Sequence, residues 1–120
     1  MERITFIRHQ GKSILLEDFS NLRPGPEMLA AFKTAHETIA AQPHRSVLAL
    51  FDATGATYNA EALSALKDFV QSNTPFIKSV AVVGITGLLN VAITTITRVA
   101  NRPFRTFPTR QAALDFLAEQ

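Results

Sequence analysis

Nineteen consecutive residues, Ser79 to Thr97 in "SVAVVGITGLLNVAITTITRVA", carry no charge, so any fold must either bury this run or pass it through a bilayer. A spanning helix needs about twenty predominantly apolar residues. Gly84, Gly87, Asn90 and the threonines Thr86, Thr94, Thr95 and Thr97 lower the hydrophobicity well below that of a leucine-rich span. The period also changes partway. Val80, Ala81, Val82 and Val83 form a short apolar block closed by a glycine, the pattern of a strand buried on both faces. Beyond Gly87 the apolar positions Leu88, Leu89, Ala92, Ile93, Ile96, Val99 and Ala100 take helical spacing on one broad face. The run predicts a strand, a tight turn and a core helix, with no membrane span.

The same alternation recurs along the chain. "RITFIR" and "KSILLE" read as two strands joined by a turn at Gln10 and Gly11. "NLRPGPE" breaks that pattern, and Pro26 with Glu27 opens a helix presenting Met28, Leu29, Phe32, Ala35, Ile39 and Ala40 on one side, closed by Gln42 and Pro43. "SVLALF" is a buried strand. "DATGATYN" leads to a second helix bearing Leu63, Leu66, Phe69 and Val70, with Asn59 as its N-cap. "RPFRTF" supplies a last strand, and Thr109 caps a closing helix that turns Leu114, Phe116 and Leu117 inward. The order is ββαβαβαβα. Alternating helices and apolar strands call for an α/β fold, a five-stranded mostly parallel sheet with one antiparallel edge strand and four helices.

A length of 120 residues suits a single domain, residues 1–120, and supports a core without disulfides or metal. The chain has no cysteine, which removes thiol catalysis and thiolate metal sites, and Glu2 and Arg3 lead straight into a strand without a signal pattern. A cytoplasmic location is expected. The net charge of +2 gives a weak overall field despite a pI near 9.4, so no nucleic-acid partner is expected. Arg98, Arg102, Arg105 and Arg110 do gather near the C-terminus. They read as solvated side chains at helix ends and loops, with a local anion site as the alternative.

In open α/β sheets ligands gather beyond the carboxyl ends of the strands. Two loops qualify. "FDATGATYN" places Asp52, Thr54, Thr57, Tyr58 and Asn59 after a buried strand, and "VGITGLL" places Gly84, Thr86 and Gly87 at a helix start, where free amides favour an anion. Neither has the spacing of a Walker A loop or a dinucleotide fingerprint. Asp52 reads first as an Asx turn tying down its loop, and second as a ligand-facing carboxylate. Thr86 reads as a cap. His9, His36 and His44 have no second ligand at helical or strand spacing, so no metal is expected, and no triad or nucleophile elbow is visible. The expectation is that the chain is not an enzyme and carries no cofactor.

With this element order, "LFDATGATYNAEAL", "SVAVVGITGLL" and "FRTFPTRQAALDFL" resemble the anti-sigma-factor-antagonist-like branch of the STAS superfamily over nearly the whole chain. The resemblance implies a regulatory module that binds a protein partner. STAS regulators carry an Asp-Ser-Ser-Gly-type stretch whose serine is phosphorylated; here the matching stretch is "YNAEAL", with Glu61 or Ala62 near that position, so the switch is not carried over. The branch also has likeness to CRAL-TRIO lipid-transfer domains, which implies the alternative of a small apolar ligand or lipid carrier. The partner surface is expected at Asp52, Thr54, Thr57, Tyr58, Asn59, Thr86 and Gly87. Val91, Thr95 and Arg98 flank the apolar stripe of their helix and mark a candidate interface with a partner or with a second copy in a homodimer.

Overall fold

A computed structural model describes residues 2–85, 90, 91, 93–95, 98 and 104–120. The chain forms β1 (Ile4–His9), β2 (Lys12–Asp18), α1 (Pro26–Ala40), β3 (Val47–Asp52), α2 (Ala60–Asn73), a single 3-10 turn at Thr74–Phe76, β4 (Ile77–Val83), helical backbone at the described residues between 90 and 98 (α3), β5 (Arg105–Phe107) and α4 (Arg110–Ala118). The five strands lie in the order β1-β2-β3-β4-β5. Only the β1–β2 pair is antiparallel, from Ile4↔Glu17 to His9↔Lys12, and the other pairs are parallel. The expected fold is the observed one.

The topology explains the layering. Each crossover advances the chain by one strand in the same direction, and right-handed crossovers therefore put their helices on a common face. On that face residues of α1 and α2, with Ile93 of α3, pack on Leu15, Ala49, Phe51 and Val82. The closing helix α4 covers the opposite face, where Ala113 and Leu117 meet Ile14, Leu50 and Val83. Covered from both sides, β3 is buried at every residue, which is why "VLALFD" shows no alternation.

Local chemistry sets the boundaries. Gln10 and Gly11 both take positive φ, 50° and 82°, the backbone that a two-residue hairpin turn requires. Pro26 fills the first position of α1, and the Asn59 and Thr109 side chains accept from Ala62 N and Ala112 N to cap α2 and α4. The inward face of α1 is rotated from the expected one. Met28, Ala31, Phe32, Ala35 and Ile39 are buried, whereas Leu29 and Ala40 face solvent. On α2, Leu63 and Val70 are only half-buried, and Ala62 and Asn73 take positions in the buried row. Phe19, just beyond β2, anchors the helix-covered core, with its ring 4.7 Å from Phe51 and 4.8 Å from Phe32. No helix among the described residues is long and apolar enough to cross a membrane.

Candidate functional site

Two neighbouring strands end in the same device. Asp18 and Asp52 close β2 and β3 in register with one another. Each carboxylate folds back on the residue two places ahead. Asp18 Oδ1 accepts from Ser20 N at 3.0 Å and Ser20 Oγ at 2.5 Å, and Asp52 Oδ1 accepts from Thr54 N at 2.9 Å and Thr54 Oγ1 at 2.6 Å. Asp52 is therefore the Asx turn that its sequence context suggests. It also has a partner that the sequence did not reveal.

Arg110, the first residue of α4, spans both strand ends. Its Nε donates to Asp52 Oδ2 at 2.5 Å, and its Nη2 lies 3.1 Å from Asp18 Oδ1. From the other side Arg3 Nη1 donates to the Asp18 and Ser20 carbonyls, each at 3.1 Å. Burial alone would raise the Asp18 pKa, but the two Ser20 hydrogen bonds and the Arg110 and Arg3 guanidiniums hold it below the usual carboxylate value. The hydrogen bond to Asp52 likewise holds Arg110 protonated against its own partial burial. Arg105 lies over the Phe116 ring, 4.9 Å from its centroid. Of the four C-terminal arginines, Arg98 is exposed and Arg102 lies outside the described residues. Arg105 and Arg110 thus each have an internal partner.

Removing Arg110 should leave Asp52 with a buried, unpaired charge. Arg110→Met is expected to cost about 2–3 kcal/mol in urea unfolding at neutral pH, less than a fully buried pair because the arginine side chain is 41% exposed. In an Asp52→Asn background the same change should cost under about 1 kcal/mol, since the two residues act as a unit. Equal costs in both backgrounds would rule out the coupling.

The loop after β3 is exposed at its tip and fixed at its base. Thr54, Gly55, Thr57 and Asn59 face solvent. Underneath, Ala56 N donates to Ala53 O, Thr57 N to Leu22 O and Asn21 N to Thr54 O, at 2.8–3.0 Å. Tyr58 packs half-buried against the helix-covered core, where burial pushes its phenol pKa up to about 12. Asp52, Thr54, Thr57, Tyr58 and Asn59 are thus brought together. Thr86 and Gly87 lie outside the described residues, as do Leu88, Leu89, Ala92, Ile96, Val99 and Ala100 of the expected helix face. Val91, Thr95 and Arg98 are all exposed, spaced to share one side of α3, while Ile93 is buried beneath them.

The histidines have local roles. His9 Nε2 lies 2.8 Å from Asp115 Oδ1, His36 Nδ1 lies 2.6 Å from Asn73 Oδ1, and His44 meets the edge of Phe76. Among the described residues no group of three or more His, Asp or Glu side chains is arranged to hold a metal ion.

Besides the Arg110 contact, sequence reasoning missed two features. One is the Asp18 turn, signalled by "DFS" repeating the Asp-x-hydroxyl pattern of "DAT". The other is a cavity of about 70 Å³ between the sheet and the helix layer, lined by Glu17, Phe51, Leu66, Phe69, Val80 and Ile93 among others. Glu17 is 2% exposed, its Oε2 has no hydrogen-bond partner, and burial raises its pKa from 4.5 to about 8.

Comparison with protein-family models, with curated proteins and with solved structures gives no match.

Proposed function

We propose that the chain is a non-enzymatic regulatory module of STAS type that binds a protein partner through the loop Asp52–Asn59 and the first turn of α2. The observation that carries this reading is the contrast between an exposed tip and a braced base: solvent-facing Thr54, Thr57 and Asn59 stand on a loop whose backbone is tied to Leu22, Asn21 and Ala53. A pre-organised surface loses little conformational entropy on docking. The carboxylates beside it are engaged with Ser20, Thr54 and Arg110, an arrangement suited to holding shape rather than to acid or base chemistry. Among the described residues, the apolar cavity between the sheet and the helices favours a docking module over a lipid carrier. At about 70 Å³ it is roughly half the size of an apolar cavity that admits benzene, too small for an acyl chain.

A photo-crosslinking side chain at Thr57 is expected to capture one discrete protein partner in cells, while the same group at Arg8, at the opposite end of the sheet, captures none. A Thr57 pattern indistinguishable from the Arg8 pattern would overturn the docking surface. The position matching the STAS serine is Glu61 or Ala62, and the exposed Ser64 lies further into α2. Phosphopeptide mapping should find α2 unmodified, and a stoichiometric phosphate on Ser64 would restore the switch.

The exposed side of α3 offers a second contact, which we assign to self-association. Val91 is 63% exposed, so Val91→Glu is expected to keep the fold and to weaken any dimer by about tenfold. Sedimentation of the wild type as a monomer at high concentration would remove this contact.

A further inference from the structure

Glu17 is a buried polar group that its surroundings leave unanswered. It sits in β2 between Ile4 of β1 and Phe51 of β3, on the helix-covered face of the sheet. The walls around it are mostly hydrocarbon, including Ala49, Leu66, Phe69 and Val80, with Asn73 and Thr74 the other polar residues in the lining. Oε2 is shielded from solvent and accepts no hydrogen bond among the described residues. Buried carboxyl oxygens are nearly always satisfied, and one left bare calls for an explanation. Asn73, which also lines the cavity, is engaged elsewhere through its contact with His36.

We propose that this cavity binds a small neutral aliphatic alcohol, its hydroxyl hydrogen-bonded to the Glu17 carboxyl and its alkyl chain packed among Phe51, Leu66 and Val80. Two properties of the site select this chemistry. The first is charge. With its pKa raised to about 8, Glu17 is protonated at neutral pH and presents one O–H and one acceptor oxygen. A hydroxyl can meet the unpartnered Oε2 either way, accepting from it when it carries the proton and donating to it when it does not. An ammonium ligand would require the ionised carboxylate and bring a second charge out of water, and a carboxylate ligand would bring a charge with no cation to meet it. The second property is size. A volume of about 70 Å³ against roughly 150 Å³ for a benzene-sized cavity limits the ligand to about three to five non-hydrogen atoms. This site is separate from the docking loop, and either can fail without the other.

The test is a titration of the full chain with 1-butanol below neutral pH, followed by the methyl NMR signals of Ile39, Leu66, Val70 and Val80. Saturable shifts confined to methyls that line the cavity are expected, with a Kd of roughly millimolar or tighter for so small a ligand, and n-butylamine and butyrate should bind at least about tenfold more weakly. Glu17→Gln, which keeps a donor and an acceptor, should hold the affinity within about threefold, whereas Glu17→Met should lose about tenfold or more. Ala49→Val, which narrows the cavity and leaves Glu17 in place, should produce the same loss and serves where Glu17→Met does not fold. Shifts that never saturate, methyls that respond to no ligand while the cavity holds only water, an equal response to butylamine, or unchanged binding in Ala49→Val would each overturn the proposal.

Discussion

Between about pH 5 and pH 9 the wild-type domain is expected to lose several kcal/mol of stability that a Glu17→Gln variant keeps. The cause is desolvation of one carboxyl. Glu17 is 2% exposed in a mostly apolar cavity, and its pKa rises from 4.5 to about 8 on burial. Below pH 4.5 the side chain is protonated in both the folded and the unfolded chain and adds no pH dependence. Between the two values the folded protein holds a proton that the unfolded chain has released, so stability falls as pH rises. Above about 8 both states are ionised and the whole penalty applies. At about 1.4 kcal/mol per pH unit, the interval corresponds to about 4–5 kcal/mol, an upper bound because an opening that admits water would relieve the charge. The glutamine variant has no such slope. It should be about 1 kcal/mol less stable than wild type in acid, where its amide protons lack partners, and several kcal/mol more stable in alkali. Urea unfolding of both proteins across this pH range measures the difference, and subtraction removes the histidines common to both, including the nearby His36. A flat difference would mean that Glu17 ionises as an exposed glutamate does.

Glu17 also shows where sequence reading stops. The chain's periodicity made the element order legible, because burial on two faces produces the unbroken runs "SVLALF" and "SVAVV", and helix caps leave Asn59 and Thr109 at fixed places. Nothing in "KSILLE" marks its final glutamate as buried. Alternation gives its parity but does not reveal which helix lies above it, and α1 and α2 cover that parity with hydrocarbon. The strand-end cluster was legible by half for a similar reason. The turns at Asp18 and Asp52 are local and two residues long, so both are signalled in the sequence, though only Asp52 is read there as a turn. Arg110 comes from 58 residues away, and only the passage of α4 to the opposite face brings it to Asp52. Leu29 illustrates a smaller limit. A helical stripe a few residues wide leaves its edge positions undecided, and the register with which α1 settles on Phe19 and Phe51 chose Ala31 over Leu29.

The second large effect is expected at Gly84, where Gly84→Ala should destabilise the domain by about 3–5 kcal/mol while Gly11→Ala costs about 1 kcal/mol. The comparison is controlled by the backbone itself, since both glycines have φ of 82° and carry the same left-handed penalty for an added side chain. Their surroundings differ. A Cβ on Gly11 would meet no atom within 4 Å, whereas a Cβ on Gly84 would fall 2.5 Å from both Cα and N of Thr54. Backbone atoms cannot swing aside as the end of a flexible side chain can. The loop after β3 would have to move, and with it the Thr54 amide that donates to Asp52. Equal costs at the two positions in urea unfolding would mean that the approach of β4's end to Thr54 is looser than described. Gly84, which the sequence places before a helix start, has a packing role of its own. It lets the ends of β3 and β4 approach within van der Waals distance, so that the Asp52 turn and the exposed loop above it are held by packing as well as by hydrogen bonds. The proposed docking surface should fail together with the fold at Gly84, whereas changes at the loop tip, such as Thr57→Ala, should leave stability within about 0.5 kcal/mol of wild type and alter only the proposed binding.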